Sequence, residues 1–487
     1  MPRRDEYLAI VARDQPPAGL RRSLGPFDFT LLVIGAAIGA DIYIVASLAA
    51  GFLGPAQLVA WLGGGLLAAL IVLPFVQCSL IDPEVGGTYA YVRNAFGHLA
   101  GFLAGWALLL GESVFLPIFP SAFANYLTYF IPNLSDAGRL ASQVGLVAIV
   151  TSVNIVGVRA SGRLNDLLTL AKLVPLAILI LVGLAAVAIR PAPALDHLSP
   201  FAPLGWSGFG PAVLLIFFAY AGFELAVLPA GEVSRPEKTL PRGLVIGMSV
   251  VTLFYLLTAL AVSFGLPWQE AAGSTRPLAD ALDGLTAEIG WSAFPAGLLM
   301  ALGGLVSIGA TFDVFMLSVA RLSYSMAADG MLPSLLARVH SRFATPYVAV
   351  LVQAAFGFVV GRFFDISHLI DAGMFLVGLC YAATGLAALR LVHREAHKRL
   401  PIPGLRGLLV LASAGGLYLS MQAPTNLKLL GLGAIGLGLV GYLSRSAAHG
   451  EMPAIEQSLS LKEQRFIEWA RQGELWLLTT VRQLFHP

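Results

Sequence analysis

Five ionisable residues lie inside long apolar runs, away from their ends: Asp41, Glu112, Lys172, Glu224 and Asp313. A charge facing hydrocarbon is costly, so each must face a cavity, a partner or water inside a bundle. Asp41 stands in Gly35-Ala36-Ala37-Ile38-Gly39-Ala40-Asp41-Ile42-Tyr43, and no charged residue follows it from Ile42 to Ile81. The glycines invite the helix to unwind there. Unwinding frees amides suited to a carboxylate, and it frees carbonyls that, with the acid, suit a cation. Asp41 can therefore bind a substrate amine or an ion, carry a proton, or pair with a lysine. Phe218-Ala219-Tyr220-Ala221-Gly222-Phe223-Glu224 repeats the pattern, with small residues and then an acid in mid-run. Lys172 needs an acidic partner or must give up its charge, and Asp41 and Asp313 are the candidates. Glu112, in Gly111-Glu112-Ser113, is placed to hydrogen-bond across helices, and Ser307 and Thr311 bring hydroxyls near Asp313. The aromatics Tyr43, Tyr220, Phe218 and Phe223 are candidates to gate or line a pocket.

The elements that hold these residues must be membrane helices. Apolar residues make up 57% of the 487 and charged residues 12%, about half the charge of an ordinary soluble domain; mean hydropathy is +0.79. About twelve stretches reach the roughly 20 apolar residues a crossing needs. They fall at 27–50, 56–80, 97–131, 141–157, 165–189, 209–231, 243–266, 291–325, 347–363, 367–389, 404–421 and 426–444. The third and eighth are long enough to tilt or protrude. Pro117 and Pro120 should kink the third. The two interrupted runs lie five spans apart, which suggests two inverted five-helix repeats (about 27–189 and 209–389) followed by two extra helices (404–444).

Basic residues set the orientation. Counted loop by loop, 24 Lys and Arg fall on the side of both termini. The other side holds Arg139, Arg190, Arg276, Arg362 and Lys428. That asymmetry puts both termini in the cytoplasm. Residues 1–26 form an N-terminal tail without the apolar core of a signal peptide, so the first span is expected to act as the insertion signal. Residues 27–445 form the membrane domain. In the tail at 446–487, Ser460-Leu461-Lys462-Glu463 reads as a capping box, and an interfacial amphipathic helix is expected.

Net charge of +2 gives no sign of nucleic-acid binding. Cys78 and Cys380 both sit in apolar runs and read as small buried hydrophobes. Zinc-protease, nucleotide-loop and cysteine–histidine metal patterns are missing. No enzyme activity, cofactor or metal is expected, and energy should come from a gradient or from exchange.

Four motifs in order resemble the amino acid–polyamine–organocation permeases, over roughly Leu24 to His393. IGAAIGADIYIVA is similar to that family's broken-helix motif. Pro83-Glu84-Val85-Gly86-Gly87-Thr88-Tyr89-Ala90-Tyr91 resembles its loop motif PxxGGxYxY. FFAYAGFELAVLPAGEVSRPEKTLPRG resembles its sixth span and following loop, and RLSYSMAADGMLP, followed by Thr345-Pro346, resembles RxxYxMAxDGxLP. The resemblance implies an all-α, LeuT-like fold of two inverted five-helix repeats, alternating access in the plasma membrane, and amino acids or amines as substrates. It places substrate at Ile38, Gly39, Ala40 and Asp41 and at Phe218, Ala219, Gly222 and Glu224. Lys172 matches a lysine that replaces a sodium site in proton-coupled members, which favours protons as the coupling ion. Asp41 departs from the small residue usual at its position and would repel a substrate carboxylate unless neutralised. An amine, polyamine or potassium carrier with Asp41 as cation ligand is therefore the alternative to an amino acid permease. A nutrient sensor on the same frame is a third reading, supported only by the tail after residue 445.

Overall fold

A computed structural model describes residues 24–81, 87–156, 162–227, 233–291, 296–343 and 345–448, without the side chains of 162–168 and 443–448. The N-terminal tail before Leu24 and the expected amphipathic helix at 460–478 lie outside them.

Every regular element among the described residues is a helix. In chain order these are α1 (Pro26–Ala37), α2 (Ala40–Leu53), α3 (Gln57–Ile81), α4 (Thr88–Phe96), α5 (His98–Phe115), α6 (Ile118–Leu127), α7 (Asp136–Val156), α8 (Gly162–Ile189) and α9 (Pro191–Asp196). There follow α10 (Phe209–Tyr220), α11 (Phe223–Ala226), α12 (Pro236–Gly265), α13 (Trp268–Gly273), α14 (Pro277–Glu288), α15 (Ala296–Ala328), α16 (Tyr347–Val360), α17 (Ile366–Arg394), α18 (Leu405–Gln422) and α19 (Thr425–Ala448). Residues through Gly431 form one compact unit, and the part of α19 from Leu432 belongs to a second.

Nine helical stretches among the described residues are long and apolar enough to cross a membrane. One of them, Ala40–Ile81, holds both α2 and α3, while Pro26–Ala37 and Tyr347–Val360 are apolar but shorter. The outer surface is greasy: Leu66, Leu181, Leu253, Val306 and Phe363 are all exposed. The polar groups are inside, where Asp41, Glu112, Lys172 and Glu224 are at most 4% exposed. This inversion of the soluble pattern marks a multi-pass membrane protein, since only intrahelical bonding satisfies the backbone in lipid.

Of the two prolines expected to kink the third span, Pro117 lies at a helix boundary and Pro120 lies inside α6 without ending it. α5 stops at Phe115, and a turn at Leu116 and Pro117, both with right-handed helical angles, separates it from α6. α15 is one helix of 33 residues, about 50 Å at 1.5 Å per residue and longer than a straight crossing. Within the motif at 83–91, the residues from Thr88 form α4, entered through Gly87 at φ 53°.

Candidate functional site

α1 ends at Ala37 because Ile38 is extended (ψ 104°) and Gly39 adopts φ −147°, ψ −140°. A helix that stops leaves its last carbonyls unbonded. Side chains from other spans take them. The Lys172 ammonium on α8 donates to Gly35 O at 3.3 Å and to Thr311 Oγ1 at 2.9 Å. Thr311, on α15, points its hydroxyl on toward Ile38 O at 3.5 Å. Its side chain also fills the space over Gly39, where any Cβ would overlap it.

The second interruption is sharper. α10 ends at Tyr220, Ala221 is extended, and Gly222 has φ +110°, a left-handed value natural to glycine. The carboxylate of Glu224 turns back to the break: Oε2 accepts the Gly222 N–H at 3.0 Å, and Oε1 accepts the Tyr381 hydroxyl at 2.8 Å. The two breaks touch. A Cβ on Gly222 would stand 2.5 Å from Ala36 O. Tyr255, on α12, links them again, its hydroxyl lying 2.7 Å from Ala37 O and 2.8 Å from Ala219 O. One hydroxyl carries one hydrogen, so it serves one carbonyl fully at a time.

The structure places the other candidates as follows. Asp41 is the second residue of α2, where the half-helix dipole favours negative charge. It is buried, and neither carboxylate oxygen has a hydrogen-bond partner. Lys172 makes no ion pair with Asp41 or Asp313; its hydrogen bonds go to Gly35 O and Thr311. Asp313 instead accepts the Asn154 amide at 2.7 Å. Glu112 is fully buried beside Glu224. Ile38, Ala40 and Ala219 are buried, and Phe218 packs on Phe115 with ring centres 4.8 Å apart. The candidate gating rings serve as packing in this state. Tyr43 meets Tyr126 edge-on at 5.4 Å, Tyr220 packs on Trp61 and Tyr255, and Phe223 stacks on Tyr381.

Tyr255, Tyr381 and Tyr126 were not singled out from the sequence. The available signal was a tyrosine in mid-span, whose hydroxyl must find a partner when buried. Tyr255→Phe leaves two buried carbonyls sharing no donor and is expected to cost roughly 1–3 kcal/mol. Thermal unfolding of the detergent-solubilised protein checks this, and an unchanged midpoint would refute the bridging role.

Polar contacts link neighbouring elements at both ends of the α5–α6 span. Beside the start of α5, the Tyr89 hydroxyl donates to Asp329 Oδ2 at 2.8 Å, and Arg93 pairs with the same oxygen at 3.2 Å. Burial and the Asp329 carboxylate push the Tyr89 phenol above its usual range, so it remains a donor. Beyond α6, Tyr129 donates to Asp283 Oδ2 at 2.9 Å, and Asp283 Oδ1 accepts the Gly297 N–H at 2.7 Å. Burial and then Asp283 hold the Tyr129 phenol at about 12. Because the Arg93–Asp329 pair is partly exposed, Asp329→Asn should cost stability only ~0.2–1 kcal/mol. Its expected effect is instead easier opening at that end, read as faster thiol labelling of a cysteine placed at Ala90.

Apolar helices facing lipid, charges gathered inside and two interrupted helices meeting in the middle define a membrane transporter rather than an enzyme. The chain belongs to the amino acid permease family: the family model described as "Amino acid permease" matches residues 24–432. It is thus a permease of the amino acid–polyamine–organocation superfamily. A methylthioribose transporter of Bacillus subtilis is 26% identical, covering 92% of this chain and 98% of its own length. A serine/threonine exchanger of the same organism is 28% identical over 87% and 96%. The human Asc-type amino acid transporter 1 is 31% identical over 79% and 74%.

Proposed function

We propose that this protein is a secondary active transporter that moves amino acids across the plasma membrane by alternating access, coupled to protons. In this reading twelve spans form two inverted five-helix repeats and two further helices, with both termini cytoplasmic. The substrate binds where the breaks at Ile38–Asp41 and at Phe218–Glu224 meet. The observation that carries the reading is the contact of Gly222 with Ala36 O, reinforced by Tyr255 reaching Ala37 O and Ala219 O. Two unwound segments fixed to one another offer peptide groups to a solute at one point. A lysine donating to Gly35 O and Thr311 puts a positive charge where a cation would otherwise bind, which supports protons over sodium. The names of the serine/threonine exchanger and the Asc-type transporter support amino acids as substrates. The test is uptake of labelled amino acids into proteoliposomes with and without an inward pH gradient. Accumulation without a gradient, or none with one, would overturn proton coupling.

One observation favours a second reading. The Asp41 carboxylate is buried with both oxygens unpartnered, and a buried anion without a partner is a ready ligand for a cation. An organic amine, a polyamine or potassium would then be the cargo. A thermal-shift panel separates the two readings, because a bound ligand raises apparent stability by mass action. Stabilisation by amines that Asp41→Asn abolishes would favour the second reading; stabilisation by amino acids that survives the substitution would favour the first.

A further inference from the structure

Glu112 and Glu224 come from different spans and meet inside the protein. Glu112, on α5, is fully buried, and no donor reaches either of its carboxylate oxygens. The charged group it faces is the carboxyl of Glu224. Glu224 is already held from two other directions, by the Gly222 N–H and the Tyr381 hydroxyl. Ionised carboxylates only accept, so a hydrogen bond between two of them requires that one carry a hydrogen. Two carboxylates in contact cannot both ionise at ordinary cost.

The surroundings leave that hydrogen to the pair. Among the described residues no basic side chain donates to either carboxylate oxygen of Glu112. From α17 the titratable neighbours are Tyr381 and Cys380, and the Cys380 thiol is turned to Ala104 O at 3.4 Å. From α1 the backbone of Ala36 and Ala37 lies against the Gly222 turn. From α3 the ring of Phe75 closes on Phe223 and Tyr381. Tyr381 is placed to donate to the charged form of Glu224, as is the Gly222 amide. Both donors depend on the second break keeping its shape.

We propose that Glu112 and Glu224 form a proton-binding site, separate from Lys172, whose occupancy is coupled to the geometry of the break at Gly222. In the state described here the pair holds one proton between its carboxyl groups. When the break moves the two carboxyls apart, one O–H bond breaks and the proton passes to water. The electron pair stays on the carboxylate, which the amide and the phenol then stabilise. The site rests on the transporter reading and adds to it a second proton-binding position, next to the substrate segment of α10 and α11.

Infrared difference spectroscopy on the purified full-length protein in lipid tests this without a known substrate. A pH titration in light and heavy water should show the carbonyl stretch of a protonated, buried carboxyl, shifted by deuterium and lost as pH rises. Glu112→Gln and Glu224→Gln should each abolish that band, whereas Tyr381→Phe, which keeps both acids, should retain it. A band that survives both glutamine variants, or that never responds to pH, overturns the proposal. In proteoliposomes with labelled serine, leucine and putrescine as probes, Glu112→Gln should lose accumulation driven by a pH gradient while keeping exchange of the same solute. Retained gradient-driven accumulation also overturns it. If no probe is carried, the transport reading fails, and the infrared titration still decides the site.

Discussion

Gly222→Ala is expected to abolish transport and to destabilise the protein. The residue holds φ +110°, a conformation that costs a side-chain-bearing residue roughly 1–3 kcal/mol. The added methyl would also stand 2.5 Å from Ala36 O, a backbone atom that cannot swing aside. Relief requires α1 to move away from the α10–α11 segment, which separates the two breaks. Gly404→Ala is the control. Gly404 also has positive φ (69°), but open space surrounds its missing side chain. It should cost about 1 kcal/mol, mostly from backbone strain, and leave transport intact. Expression-normalised uptake in membrane vesicles makes the comparison. If the two variants behave alike, the contact between the breaks has no functional weight.

Lys172→Met should be the second severe change. It removes a buried ammonium that donates to both Gly35 O and Thr311 Oγ1. Leaving buried acceptors unsatisfied costs roughly 1–3 kcal/mol each, and the nearby Asp41 loses its closest compensating charge. Transport should fall to background, with a clear drop in thermal stability. Thr311→Val keeps the shape over Gly39 and loses only the hydroxyl, so it should be milder. Because the two side chains share one bond, their effects should not add; a double-mutant cycle should give a coupling of ~0.5–3 kcal/mol. Wild-type uptake by Lys172→Met would remove the lysine from the mechanism.

The course of the chain was readable where local chemistry decides it. Small residues at Gly39 and Gly222 marked the two breaks, and Pro117 marked the turn that separates α5 from α6. Long apolar runs marked the membrane helices, although α1 and α2 are two short helices where one span was drawn. The hydrogen-bond partners of the buried lysine were not readable. Charge suggested charge, so Lys172 was matched with Asp41 and Asp313, and both lie within electrostatic reach of it, but its direct contacts are of another kind. Folding gave it a backbone carbonyl 137 residues away and a threonine hydroxyl. Which carbonyls an unwound helix leaves open depends on the angle at which the neighbouring spans cross it, and one sequence does not encode that locally. The same holds for Tyr255 and Tyr381. Their positions look like packing until the breaks come within reach of their hydroxyls.

The threonine over Gly39 imposes an order on events. Its side chain occupies the space a solute atom would need to approach that glycine, and its oxygen is also an anchor of the lysine. Filling that space and keeping that anchor are mutually exclusive. If the proposed site is right, a solute reaching Gly39 would have to displace the threonine, and the ammonium would lose one of its two holds. One side chain would then tie occupancy at the break of α1 to the seating of the buried ammonium.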